Sequence, residues 1–87
     1  MPGVARAFQD TAGGLILGMG NSTVFVNGLP ASVLNDSVAG HGDGAHAGPS
    51  MVVSSGTVFC NSMGTCRQGD VASCGDTATG SGNVFAG

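Results

Sequence analysis

The 87-residue chain contains no lysine and only two arginines, Arg6 and Arg67, against five aspartates; charged side chains are 8% of it and the net charge is -3. A nucleic-acid binder needs a basic face to neutralise phosphates, and two arginines cannot make one. So little charge also leaves the surface to Ser, Thr, Asn and Gly, with weak like-charge repulsion between copies. That pattern suits a chain permanently docked on something larger. No apolar run approaches the roughly 20 residues of a membrane-spanning helix. The opening segment has no basic stretch followed by an apolar one, so a secretory leader is not expected and the chain is expected to be soluble when made. Cysteine is scarce and odd in number: Cys60, Cys66 and Cys74 cannot all pair within one chain, which favours free thiols or metal ligands over a disulfide framework.

What the chain has in abundance is glycine, 17 residues of it, in a sequence that is 41% hydrophobic. The glycines have no three-residue period, which excludes collagen, and the hydrophobic content exceeds that of a disordered linker. A single domain over 1–87 is expected, small enough that its core alone gives a thin stability margin and some further staple is needed.

Internal recurrence is the strongest signal. Thr23-Val24-Phe25-Val26-Asn27-Gly28 returns as Thr57-Val58-Phe59-Cys60-Asn61-Ser62 and as Asn83-Val84-Phe85-Ala86-Gly87. Each is a short β-prone run closed by turn residues. Ahead of each lies a second run, Leu15-Ile16-Leu17, Met51-Val52-Val53 or Thr77-Ala78-Thr79, so three hairpins are expected. A further recurrence, Pro2 to Asp10, Pro30 to Asp36 and Gly64 to Asp70, places an Asp where its carboxylate can take backbone N–H bonds and fix a turn. Gly and Pro interrupt every stretch before two helical turns could form, which makes the chain all-β. Three such units can arrange around a pseudo-threefold axis. Burial of Val24, Phe25, Val58, Phe59, Val84 and Phe85 towards the middle is then the expected core.

Loop 40–48 carries both histidines, His41 and His46, among glycines that disfavour a helix, so both imidazoles can fold back around an ion. Two solvated loop histidines are the competing explanation. No serine nucleophile is set up: Ser50, Ser54 and Ser55 lie near His46 without a strand-turn-helix frame to hold a base and an orienting acid, and no enzymatic activity is expected.

Taken together, these residues resemble the PAAR-repeat proteins that cap the spikes of contractile phage tails and type VI secretion systems. Val24 to Gly28 with Leu29, Pro30 and Ala31 matches the family's strand and turn, and Arg67-Gln68-Gly69-Asp70 with Cys74-Gly75 matches its later part. Pro2, Ala5, Arg6 and Asp10 fit the same turn with one extra residue. The departures are Ser32-Val33 where the family has Ala-Arg, and Gly64-Thr65-Cys66 where it has Pro-Ala-Ala.

The resemblance implies a small conical β structure whose base sits on a trimeric β-helical spike protein, one tip per trimer, and whose apex is pinned by zinc. Function would be mechanical: sharpening the spike that pierces a bacterial envelope, with transient contact with the target membrane and no small-molecule substrate. The chain would be assembled at the tip of a phage tail baseplate spike or a secretion-system spike. Structural zinc takes four tetrahedral ligands and supplies about 10 kcal/mol or more of folding free energy. By position in the repeat, Cys74, His46 and His41 are the implied ligands. The family's first histidine is missing, since that loop reads Thr11-Ala12-Gly13-Gly14. The fourth place falls to Cys60 or Cys66, or else to water, Asp43 or Asp76. Iron is the less expected metal, suited to more imidazole and less thiolate. The alternative function is a free-standing metal-binding or redox module using the three cysteines and two histidines.

Overall fold

Each of the three Asp turns is closed by its own carboxylate. Asp10 Oδ2 accepts the Arg6 amide at 2.8 Å, Asp36 Oδ2 the Val33 amide at 2.9 Å, and Asp70 Oδ2 the Arg67 amide at 2.8 Å. The Asp amides return the bond to the carbonyls of Arg6, Val33 and Arg67 at 3.0, 3.0 and 2.9 Å. These aspartates are turn formers, as their spacing implied, and the first turn does hold one residue more. Arg6 and Arg67 also fold their guanidinium groups onto their own carboxylates, with Nε to Oδ2 at 2.8 and 3.0 Å. The computed structural model describes residues 2–18, 24–60 and 62–87, with Ala45 by its backbone alone; Thr23 and Asn61 of the repeated runs lie outside the described residues.

The residues that open the turns hydrogen-bond to one another in a closed ring. Ala5 N–H donates to Cys66 C=O at 3.0 Å, Cys66 N–H to Ser32 C=O at 2.9 Å, and Ser32 N–H to Ala5 C=O at 2.9 Å. All three residues are fully buried. Around the ring the same cyclic pattern recurs: Ala7, Leu34 and Gln68 donate to the carbonyls of Pro30, Gly64 and Gly3 at 2.8, 2.9 and 2.7 Å. Ala31 and Thr65 donate to Val24 and Val58, seven residues earlier in each case, both at 3.0 Å. In the first copy Val4 donates to Val84, at 2.8 Å. The last run of the chain thus serves the first turn.

Strands are short because turns consume most of the chain. In order they are β1 Thr11–Ala12, β2 Gly14–Gly18, β3 Phe25–Val26, β4 Leu29–Pro30, β5 Ser37–Val38, β6 Phe59–Cys60 and β7 Met63–Gly64. One 3-10 turn, Gly44–His46, is the sole helical element among the described residues. β2 pairs antiparallel with β1 and β5, while β3–β4 and β6–β7 are separate hairpins. The fold is all-β, as expected.

The hairpin partners differ from expectation. Leu15–Leu17 does not pair with the Val-Phe run after it; that run turns at Asn27-Gly28, both left-handed (φ 54° and 83°), and pairs with Leu29–Pro30. In the later copies a serine hydroxyl takes the backbone donors that a ladder would have used. Ser55 Oγ accepts from the amides of Thr57 and Val58 at 3.1 and 2.9 Å, and Ser81 Oγ from those of Asn83 and Val84 at 3.1 and 3.0 Å. A capped bend therefore separates the two runs.

The core also differs. One buried cluster joins Ala5, Ala12, Ile16, Val38, Met51, Cys66, Ala72 and Ala78, with Cys74 packed against it; a second joins Val4, Val26, Ala31, Val33, Cys60 and Ala86. Phe25, Phe59 and Phe85 are 57%, 58% and 50% exposed, and the valines before them are also exposed. Alternation along an extended run explains the phenylalanines: Val26, Cys60 and Ala86 point inward, so the phenylalanines beside them point out.

Asp10 is buried. Burial alone would raise its pKa, but hydrogen bonds from the Arg6 guanidinium, the Thr79 hydroxyl and the Arg6 amide together hold it below the ordinary value of 3.8. A carboxylate with a depressed folded pKa stabilises the fold above its unfolded pKa, and that contribution is lost as pH falls through the folded value. Asp10→Asn should therefore cost about 1–3 kcal/mol at pH 7, and urea midpoints should show the gap from wild type narrowing below about pH 4. An equal gap at pH 7 and pH 2.5 would contradict this role.

Candidate metal centre

Three loops of very different length follow the Asp turns. The first is a tight turn at Gly13 between β1 and β2. The third spans 73–76, where Gly75 in a left-handed conformation (φ 90°) reverses the chain between Cys74 and Asp76. The second is the long histidine loop, closed at its neck by Val38 N–H to Pro49 C=O at 2.9 Å and tied to β2 by Ala39 N–H to Leu15 C=O at 2.7 Å. Within it His41 N–H donates to His46 C=O at 2.8 Å, with the 3-10 turn in between. The two rings meet edge-on, with centroids 4.9 Å apart.

Four donor atoms converge there: one nitrogen each from His41 and His46, Cys74 Sγ and one Asp76 oxygen lie within 4.8 Å of one another. His41 Nε2 is 2.8 Å from Asp76 Oδ2, 3.0 Å from His46 Nδ1 and 3.8 Å from Cys74 Sγ. Asp76 Oδ2 is 3.3 Å from His46 Nδ1 and 3.4 Å from Cys74 Sγ. Tetrahedral metal–nitrogen and metal–sulfur bonds of about 2.0–2.3 Å give ligand–ligand edges of about 3.3–3.7 Å. The four groups can hold a metal ion.

The hydrogen bonding calls for a cation at this point. His41 Nδ1 lies 3.0 Å from the Ala39 carbonyl, which can only accept, so Nδ1 carries a proton. In neutral His41 the Nε2 lone pair then faces the Asp76 carboxylate and the His46 ring. Such a cluster of lone pairs is stable only around a proton or a metal ion. In keeping with this, the Ala39 carbonyl and then the Asp76 carboxylate raise the His41 pKa, while His41 and then Cys74 lower that of Asp76. The Ala39 contact is also the kind of outer-shell bond that fixes the tautomer of a metal-binding histidine.

The first loop supplies space rather than a ligand. A Cβ on Gly13 would overlap Asp76 Oδ2 and His41 Nε2, and one on Gly14 would meet the Ala39 carbonyl and His41 Nδ1. The missing histidine of the first copy and the presence of Asp76 are thus two sides of one arrangement. Its sequence signal was Cys74-Gly75-Asp76, a glycine that turns two donors to the same side.

Cys60 and Cys66, weighed as fourth ligands, are placed elsewhere. Both are buried in the two core clusters, Cys60 beside Thr65 Oγ1 at 3.2 Å and Cys66 donating to Val53 C=O at 3.6 Å. Burial is the main cause that pushes the Cys66 thiol up to about 12, far from the thiolate a metal would need. Asp43 is exposed and outside the four-residue group. In the native protein a disulfide-exchange reagent should titrate Cys74 alone, and all three thiols in 8 M urea. Rapid reaction of two or more thiols without urea would refute this placement and favour a redox module.

Among the described residues no helix is long and apolar enough to cross a membrane. No curated protein is similar enough in sequence to count as a relative. The family model for the PAAR motif matches residues 9–80, taking in all four convergent donors, two of the three Asp turns and two of the three Val-Phe runs. The chain belongs to the PAAR-motif family.

Proposed function

We propose that this chain is a structural, non-enzymatic tip that caps and sharpens a trimeric β-helical spike, with zinc held by His41, His46, Cys74 and Asp76 at its pointed end. The observation that carries the reading is the cyclic hydrogen bonding of Ala5, Ser32 and Cys66, which joins three like turns into one closed unit. A single chain with a pseudo-threefold base can match the threefold end of a homotrimer without three copies of itself. The second observation is the exposure of all three Val-Phe pairs. Apolar groups repeated on a surface mark an interaction face, and here they back onto the core cluster that does not carry Cys74.

Zinc would cross-link the long second loop to the third where there is little core to hold either. Two imidazoles, one thiolate and one carboxylate in a tetrahedral arrangement suit zinc better than iron. The tip would ride on a phage tail or secretion-system spike and touch the target membrane only as the spike enters.

Native mass spectrometry of the chain with its spike protein should give one tip per trimer; three tips per trimer, or none, would contradict the reading. Stripping metal, or His41→Ala, should lower the melting temperature by about 10 °C or more. Asp76→Ala should weaken zinc binding at least tenfold, whereas Asp43→Ala should leave it within threefold. Equal losses for Asp43→Ala and Asp76→Ala would remove Asp76 from the ligand set.

A further inference from the structure

The docking face has an unusual charge inventory. The protein's two arginines and five aspartates all lie outside the three Val-Phe runs in sequence. Arg6 and Arg67 are paired with Asp10 and Asp70 within their own turns. Asp36 is buried at the corresponding turn of the second copy, where its carboxylate accepts the Val33 amide. Asp43 and Asp76 belong to the metal loops, as do both histidines. No charged side chain occurs in 24–28, 55–62 or 80–87. Three of the polar side chains there are engaged with one another: Asn27 Nδ2 donates to Asn83 Oδ1 at 2.9 Å, which also accepts from Ser81 Oγ at 2.7 Å.

What remains open to a partner is apolar and nearly the same three times over. Val24 and Phe25 are 40% and 57% exposed, Val58 and Phe59 are 38% and 58%, and Val84 and Phe85 are 36% and 50%. Three chemically identical pairs at nearly equal exposure give no pair an evident advantage.

Resting on the spike-cap reading, we infer that the partner presents three equivalent uncharged apolar seats, one per subunit, each receiving one phenylalanine, and that docking proceeds without ion pairing. Burial of apolar surface is only weakly sensitive to dissolved salt, whereas ion-paired interfaces weaken as charges are screened. Without electrostatic steering, association falls in the unsteered range of about 10⁵–10⁶ M⁻¹s⁻¹. Equal seats also mean that the tip docks in any of three rotations and that the three phenylalanines are interchangeable in their contribution. Each is exposed in the free protein, so its removal leaves the fold intact.

The test is titration calorimetry of the wild-type chain, and of Phe25→Ala, Phe59→Ala and Phe85→Ala, against the trimeric β-helical spike protein of the particle that carries it, at 50 mM and 1 M NaCl. Wild-type Kd should change by less than about threefold between the two salts. Each substitution should weaken binding by about tenfold or more, the three agreeing within about threefold, with unchanged circular dichroism spectra and melting temperatures. Binding that weakens more than tenfold in 1 M NaCl, or that depends on one phenylalanine alone, overturns the inference and leaves the spike-cap reading standing. Absence of binding at either salt overturns the spike-cap reading itself, and this inference with it.

Discussion

Three backbone hydrogen bonds, from Ala5 to Cys66 to Ser32 and back to Ala5, carry the architecture. They connect residues far apart in sequence, so they tie together turns that are individually too small to bury anything. Side chains at these positions must be small, and they are: Ala, Ser and Cys. Each bond orients the Asp turn that follows, and each Asp turn aims one metal-side loop. Among the described residues there is no α-helix and no strand longer than five residues on which to hang these elements, which makes the ring the organising constraint.

Position relative to the ring separates two kinds of chemistry. Residues after the Asp turns pack through Ile16, Met51 and Ala78 into the cluster that supports Cys74. Residues of the Val-Phe runs pack through Val26, Cys60 and Ala86 into the other cluster and leave their phenylalanines outside. Small buried side chains provide little apolar area, so a domain of this size gains much from an ion that cross-links loops. The same economy leaves large apolar side chains available for a partner. The convergent donors and the exposed phenylalanines thus draw on different residues of a single repeat.

Much of this was legible in the sequence where a residue's role is local. The aspartates announced themselves by spacing, since an Asx-type turn involves only a few neighbouring residues. His41, His46 and Cys74 could be nominated from their places in the repeat, and they do converge. Features that depend on pairing across the chain were not legible. The runs around Phe25 and Phe59 read as core because they are apolar, yet a two-residue strand exposes every other side chain, and the small neighbour took the inside. The partners of Met51–Val53 and Thr77–Thr79 were misread because Ser55 and Ser81 divert the donors that a simple hairpin would use, and that of Leu15–Leu17 because the run after it turns at Asn27-Gly28 and pairs with Leu29–Pro30. Asp76 stood among the alternatives without distinction until Gly13 showed why the first loop yields its place.

Native-state hydrogen exchange tests the ring most directly. If it is the constraint on which the fold depends, the amides of Ala5, Ser32 and Cys66 should be the most protected in the protein, with equal opening free energies that match global unfolding in denaturant. Exchange of any one of the three by local opening, while the other two stay protected, would contradict the account.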